Sequence, residues 1–228
     1  KLSGDLDGMS FINKGTIAGT ANEGYGNGSG IYNSNYSTIK TLTNNGTITG
    51  TSSGSYGNGY GIHPFNENNA VMAALTNNGI IIGTSSGSYG NGYGIYIRDI
   101  SITKLENNGT ITGALSGNGS GMHSSGIYNV VSGNPGPIET LTNNGTIIGT
   151  NAENESYGIY NGGGYIITTL TNTGVIYGKT SAILNDSATI SNAYNYGLLI
   201  SGDDSKDTVS NVATLTDSNN LGLIFKDV

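Results

Sequence analysis

The nine residues Leu42–Gly50 read Leu-Thr-Asn-Asn-Gly-Thr-Ile-Thr-Gly, and close copies of this phrase recur along the chain. The copy at Leu141–Gly149 differs at one position. Successive copies lie 31, 33, 30, 36, 29, 23 and 25 residues apart, counted between their central glycines, which are Gly15, Gly46, Gly79, Gly109, Gly145, Gly174, Gly197 and Gly222. Such a period is the signature of a repeat architecture in which each copy supplies one structural unit.

Each repeat also holds two further short segments of β-forming residues. The phrase Gly-Ile-Tyr-Asn stands at Gly30–Asn33, Gly126–Asn129 and Gly158–Asn161, and short apolar segments such as Ile166–Ile167 lead into the next copy. Gly, Asn and Ser separate the segments, as is typical of short strands joined by turns. The repeat therefore predicts an all-β fold, a right-handed parallel β-helix (solenoid) of about seven to eight coils with three short strands per coil.

Alignment of the copies predicts columns of like side chains running along this solenoid. Two columns of apolar residues are expected to face inward: Ile17, Ile48, Ile81, Ile111, Ile147, Ile176, Leu199 and Ile224, and Phe11, Leu42, Leu75, Leu105, Leu141, Leu170 and Ala193. Asparagine occupies the position two residues before every central glycine, where stacked amides can hydrogen-bond along the axis. We expect these asparagines to be structural, to tolerate a left-handed corner, and to be followed by glycines with positive φ.

Composition excludes several classes of protein. The 228 residues include 39 Gly, 31 Asn, one Arg and no Cys, with 10% charged residues and a net charge of −7. An acidic chain without a basic stripe is not expected to bind nucleic acid. No apolar run is long enough to span a membrane, and the absence of Cys excludes a disulfide framework. We expect residues 1–228 to form a single β-helix domain, cut from a longer protein.

Candidates for catalysis are few. His63 replaces the tyrosine of the Gly-Ile-Tyr phrase, so we expect it on a strand face, whereas His123 is expected in a solvated loop. No nucleophile stands near either at a readable spacing, and carboxylates paired with the single Arg98 are lacking. The acids of Gly202–Asp207 weakly resemble a calcium-binding turn, although solvated turn residues are the better interpretation. The sequence therefore predicts no enzyme, no cofactor and no metal site.

The most informative segments are the connections between the first and second phrases. Thr51–Ile62 recurs without change at Thr84–Ile95, and a relative stands at Glu23–Ile31. From the central glycine to the second phrase the first three repeats use 15 residues, whereas the sixth uses 8, so the extra residues are not needed to close a coil. We expect them to protrude on one side as lateral loops, near 20–30, 51–61, 84–94 and 114–126.

These loops align tyrosines over consecutive coils. Tyr, Ser, Gly and Asn are enriched in antibody binding loops, because tyrosine offers a large amphipathic contact area at low entropy cost. A comb of exposed rings could also stack on sugar faces. The alternative is a neutral, protease-resistant spacer. The predicted ligand-binding residues are Tyr25, Tyr56, Tyr60, Tyr89, Tyr93, Asn58 and Asn91.

The Leu42–Gly50 phrase, alternating with Gly-Ile-Tyr-Asn as at Gly30–Asn33, resembles the passenger domains of Gram-negative type V autotransporters. The resemblance extends from about Phe11 to Gly202 and is more specific for the architecture than for the family. It implies secretion through the outer membrane, display on the cell surface and a C-terminal membrane β-barrel beyond this segment. Many such passengers are adhesins, so the implied partner is a glycan or protein of a host or bacterial surface.

Three other functions stay open from the sequence. The segment can be a structural stalk that holds a distal domain away from the membrane, or it can self-associate through flat solenoid faces. Ice binding through Thr-x-Thr ladders is a further class, which Thr47–Thr49 and Thr110–Thr112 fit. The corresponding Ile80–Ile82 and Val175–Tyr177 interrupt that ladder.

Overall fold

The computed structural model describes residues 8–33, 39–64, 71–117, 122–130, 136–151, 155–212 and 219–226. These residues form strands and turns, and none of them belongs to a helix long and apolar enough to cross a membrane. The strands form three parallel sheets, here named A, B and C in the order in which each coil visits them.

Sheet A contains β1 (Met9–Asn13), β4 (Ile39–Asn44), β7 (Val71–Asn77), β10 (Ser101–Asn107), β13 (Ile138–Asn143), β16 (Ile166–Asn172) and β19 (Thr189–Asn195). Sheet B contains β2 (Thr16–Ala21), β5 (Thr47–Ser52), β8 (Ile80–Ser85), β11 (Thr110–Leu115), β14 (Thr146–Asn151), β17 (Val175–Gly178), β20 (Leu198–Ser201) and β22 (Leu223–Lys226). Sheet C contains β3 (Gly28–Asn33), β6 (Gly59–Pro64), β9 (Gly92–Arg98), β12 (His123–Val130), β15 (Glu155–Gly162), β18 (Ser181–Asp186) and β21 (Val209–Ser210).

Strand pairing confirms the predicted parallel β-helix with three strands per coil. Neighbours within a sheet are three strands apart along the chain up to β20, so the chain completes one coil between them. The right-handed sense of the coil stays a prediction from the general rule for parallel crossovers.

The register places like residues on like residues, as the alignment predicts. Ile48 pairs with Ile81 and Ile81 with Ile111, and all three are fully buried. Ile224 of β22 was expected in the core, and this expectation is wrong, because the residue is 43% exposed. Its strand pairs only with β20 among the described residues, so nothing there covers its second side.

The predicted asparagine column is a continuous hydrogen-bonded ladder at the corner between sheets A and B. The Asn44 amide nitrogen donates to Asn77 Oδ1 over 2.8 Å and to the Gly46 carbonyl over 3.2 Å. Bonds of 2.8 Å repeat this pattern through Asn13, Asn44, Asn77, Asn107, Asn143, Asn172, Asn195 and Asn220. The ladder therefore satisfies polar groups that are removed from water at the edge of the core.

The expected left-handed backbone at this corner is wrong. Neither the ladder asparagines nor the central glycines have positive φ; among described glycines only Gly8, Gly163 and Gly164 do. The corner needs glycine for space instead. A Cβ added to Gly46 would overlap the carbonyl oxygen of Gly15, and one added to Gly79 would overlap that of Gly46.

Candidate ligand-binding surface

The lateral loops between sheets B and C stack on one another instead of projecting independently. The Tyr56 backbone N–H donates to the Gly24 carbonyl over 2.8 Å, and the Tyr89 N–H donates to the Ser55 carbonyl over 2.7 Å. Beneath the surface, the Ser85 hydroxyl donates to the Gly57 carbonyl over 2.8 Å. The fourth predicted loop, 114–126, lies partly outside the described residues. The first three loops therefore form one ordered shelf along the solenoid.

Three tyrosines on this shelf form a stacked row, here called the tyrosine ridge. The Tyr25 and Tyr56 ring centroids lie 4.7 Å apart at 12°, and those of Tyr56 and Tyr89 lie 4.9 Å apart at 11°. The three residues are 78%, 45% and 53% exposed in chain order, which confirms the predicted comb at these positions. Because the rings cover one another's faces, the ridge offers mainly ring edges and hydroxyls, and stacking on a sugar is left to the outer faces of Tyr25 and Tyr89 at the two ends of the row.

The expectation that Tyr60 and Tyr93 extend this exposed comb is wrong. They are 6% and 3% exposed, because they belong to strands β6 and β9 and not to the loops. Their rings stack on each other with centroids 5.8 Å apart and pack against the Tyr96 ring. Burial raises the pKa of both hydroxyls well above the usual value.

Asn58 and Asn91 hold the shelf together. The Asn58 backbone N–H donates to Asn27 Oδ1 over 2.9 Å, and the Asn91 N–H donates to Asn58 Oδ1 over 2.8 Å. Asn91 Oδ1 in turn accepts from the His123 backbone N–H over 2.9 Å. These carbonyl oxygens are thus engaged in a second asparagine ladder, and direct ligand contact by Asn58 and Asn91 stays a prediction.

A larger aromatic surface covers the outer face of sheet C, and of its members only Tyr60 and Tyr93 were predicted from the sequence to bind a ligand. We call it the aromatic strip; its members are Tyr32, Tyr60, His63, Tyr93, Tyr96, His123, Tyr128, Tyr157 and Tyr160. Tyr128 and Tyr160 stack with centroids 4.6 Å apart, and burial raises the pKa of Tyr128 to about 12. The signal was present in the sequence, because the tyrosine of Gly-Ile-Tyr alternates with a core isoleucine and must face outward.

The two histidines both belong to this strip. His63 lies on β6 between Tyr32 and Tyr96 at ring distances of 5.2 and 4.8 Å, so its predicted place on a strand face is confirmed. His123 is not in a solvated loop as expected, since it begins β12 and stacks on Tyr128 at 5.6 Å. Burial lowers the pKa of both imidazoles, that of His63 to about 3, so both are neutral near pH 7.

Other chemistry finds little support in the described part of the chain. No group of three or more His, Cys, Asp or Glu side chains is placed there to hold a metal ion. In the acidic turn, Asp203 Oδ1 accepts hydrogen bonds from the Ser205 backbone N–H and hydroxyl over 2.9 and 2.6 Å. These bonds lower the pKa of the exposed Asp203 carboxyl.

No protein-family model, curated protein or solved structure matches the chain. The surfaces described above are therefore the basis for assigning a function.

Proposed function

We propose that the chain is a cell-surface adhesin segment, displayed as part of an autotransporter passenger, that binds a glycan or protein of a host or bacterial surface through its lateral loops. The observation that carries the proposal is the tyrosine ridge of Tyr25, Tyr56 and Tyr89 on loops that exceed what coil closure requires. Large aromatic side chains that remain exposed on an ordered surface are typical of binding surfaces.

Preorganisation supports this function. Binding usually loses free energy to the ordering of loops and side chains at the interface. Here each loop is hydrogen-bonded to the one before it, and the rings are already stacked. The low charge of the chain, 10% of residues, favours recognition by contact over long-range electrostatic attraction.

The test replaces the three ridge tyrosines together, Tyr25→Ser, Tyr56→Ser and Tyr89→Ser, and measures adherence of beads coated with the protein to host and bacterial cells. We expect adherence to fall about tenfold or more. The melting temperature should stay unchanged, since the three rings lie at the protein surface and not in the core. The matched control changes two exposed tyrosines of another coil, Tyr194→Ser and Tyr196→Ser, and should adhere normally. Equal adherence of both variants and the parent would reject the ridge as the binding surface.

A second candidate function is self-association through the outer face of sheet B. That face carries apolar side chains instead of a regular threonine ladder: Ile80 is 42% exposed, and Ile82, Ile148 and Ile200 are half-buried. Sedimentation over a range of concentrations tests this, with Ile80→Ser and Ile82→Ser as the variant. A monomer at all concentrations would reject it, whereas oligomers that the variant abolishes would support it.

A further inference from the structure

One column of paired residues in sheet C contains three tyrosines of the aromatic strip and three serines. Strand pairing aligns its members across sheet C in the order Ser29, Tyr60, Tyr93, Ser125, Tyr157 and Ser181. Where two tyrosines are adjacent, their rings fill the space over the sheet. Each serine therefore leaves room for about one aromatic ring between the loop shelf and the strip.

The surroundings of the three serines differ. Ser125 is fully buried, and the His123 ring of the same strand stacks on Tyr128 and lies 6.4 Å from the Tyr93 ring. Beside Ser29 a cavity of about 350 Å³ remains, lined by Gly19, Thr20, Asn27, Ser29, Tyr32, Tyr60 and His63. Beside Ser181 there is a second cavity of about 340 Å³, and its lining includes the charged side chains of Glu155, Lys206 and Asp207.

The Ser29 cavity has aromatic walls with polar groups around them. Tyr32 and Tyr60 lie on either side of His63, with ring centroids 5.2 and 4.5 Å from its own. Thr20 and Ser29 supply hydroxyls. Asn27 uses its carbonyl oxygen to accept from Asn58 N and Nδ2, so its amide nitrogen can donate to a ligand. The volume is at the lower end of the roughly 300–1,000 Å³ usual for small-molecule sites.

The electrostatics of this cavity favour a neutral occupant. None of its seven lining residues is an acid, a lysine or an arginine. His63 is neutral near pH 7, because burial and the positive charge of Arg98 hold its pKa at about 3. The lining offers no carboxylate to hold a cation and no lysine or arginine to hold an anion.

We propose that the Ser29 cavity binds one ring of a neutral carbohydrate. A sugar ring presents an apolar C–H face, which suits the half-buried Tyr32 ring, and a rim of hydroxyls, which suits Asn27, Thr20 and Ser29. This site is separate from the tyrosine ridge and does not depend on it. It adds a small-ligand site to the surface contact proposed above.

The two histidines make the test direct, because His63 lines the cavity and His123 does not. The protein is titrated with the methyl glycosides of glucose, galactose and N-acetylglucosamine, and the imidazole C–H signals are followed by NMR. We expect at least one sugar to shift the His63 signals saturably while those of His123 stay in place. Choline and inorganic phosphate, the charged probes, should shift neither. Absence of a His63 response to all three sugars, or a response to a charged probe alone, would overturn the proposal.

Filling the cavity tests its position. Ser29→Tyr continues the tyrosine column, so it should fold with an equal or higher melting temperature and weaken sugar binding by about tenfold or more. Ser29→Leu fills the same space, should the tyrosine variant not fold. Ser29→Ala removes one hydroxyl but keeps the cavity open, so it should weaken binding less than Ser29→Tyr does. Tyr194→Ser, at an exposed tyrosine of sheet A outside the cavity, should bind like the parent. If a folded variant with a filled cavity binds sugar as well as the parent, the proposed site is wrong. If the ridge variants lose no adherence, the ridge is rejected as a binding surface, but the cavity proposal is unaffected.

Discussion

At the scale of single residues, the buried asparagines show how a polar side chain is accommodated at the corner of this core. Asn107 is fully buried and donates to Asn143 Oδ1, the Gly109 carbonyl and the Thr146 carbonyl over 2.8, 3.2 and 3.0 Å. It also accepts from Asn77 over 2.8 Å. Each ladder position is therefore coupled to the coils before and after it.

Asn107→Ala is expected to destabilise the fold by about 3 kcal/mol, because it removes a buried amide together with its hydrogen bonds to Asn77, Asn143, Gly109 and Thr146. Thermal and denaturant unfolding measure the effect. The matched control is Asn108→Ala, at the adjacent exposed position that bonds Asn78 and Asn144, with an expected change within about 0.5 kcal/mol. Similar losses in the two variants would mean that burial of the ladder does not matter.

His63 predicts a pH dependence of stability. Its folded pKa of about 3 is below the ordinary 6.5, so the unfolded chain takes up the proton first. The neutral His63 imidazole therefore contributes its full share to the free energy of unfolding above pH 6.5. This contribution is lost as the pH falls toward 3, by up to roughly 1.4 kcal/mol per pH unit.

His63→Tyr matches the tyrosines at neighbouring positions of the strip and should flatten this part of the stability curve. Unfolding midpoints of parent and variant between pH 7 and 4 are compared. His123, whose pKa burial also lowers, stays in both proteins, and so do the carboxylates. Parallel curves for the two proteins would show that His63 is not responsible.

At the scale of the strand and its corner, glycine permits the close approach of successive coils. Sheets A and B meet at an Asn-x-Gly corner, where the backbone of each central glycine lies directly over the carbonyl of the glycine before it. The chain turns there without left-handed backbone, so freedom from a side chain, and not freedom of φ, is what the position requires.

Gly79→Ala is expected to cost at least about 2 kcal/mol, since its methyl group would overlap the Gly46 carbonyl and force neighbouring strands apart. The control is Gly15→Ala, where an added Cβ meets nothing within 4 Å and a small gain of about 0.4–1 kcal/mol is expected. Melting temperatures of the two variants give the comparison. A harmless Gly79→Ala would show that the corner can relax to accept a side chain.

At the scale of the whole molecule, the fold is a stack in which each coil contacts mainly its neighbours. Coils rise by about 4.8 Å, the spacing of paired strands. Stability is then approximately a sum over coil interfaces, and regions with fewer interfaces open more readily. β10 is paired on both sides, with β7 and β13. Among the strands that the structure describes, β22 pairs with β20 alone, and its four residues are exposed.

Hydrogen exchange is expected to reflect this arrangement. Backbone amides of β10 should be the more strongly protected, and those of β22 should exchange fastest, because opening β22 breaks a single interface. Mass spectrometry of peptides that contain each strand measures the difference. Uniform protection of the amides along the stack would contradict the model in which stability is a sum over coil interfaces. It would indicate that the whole solenoid unfolds as one unit.

Much of this architecture is predictable from the sequence. The period, the alternation of apolar and polar residues and the columns of Ile48 and Leu42 place the strands, because strand formation and parallel stacking of identical repeats depend on local patterns. The Asn44 column and the tyrosines Tyr25, Tyr56 and Tyr89 are predicted in the same way. Alignment could not show that Tyr60 and Tyr93 are buried, because it does not tell how the rings of neighbouring coils pack against one another.

The sequence by itself thus determined the coil, its register and the identity of each stacked column, since these follow from repetition along the chain. The tertiary structure alone decided which of those columns meets solvent. It stacked the ridge tyrosines on one another, buried Tyr60 and Tyr93 among the rings of the aromatic strip, stacked His123 on Tyr128 and left a cavity beside Ser29. These outcomes depend on how side chains of neighbouring coils pack against one another, because their volumes compete for the same space.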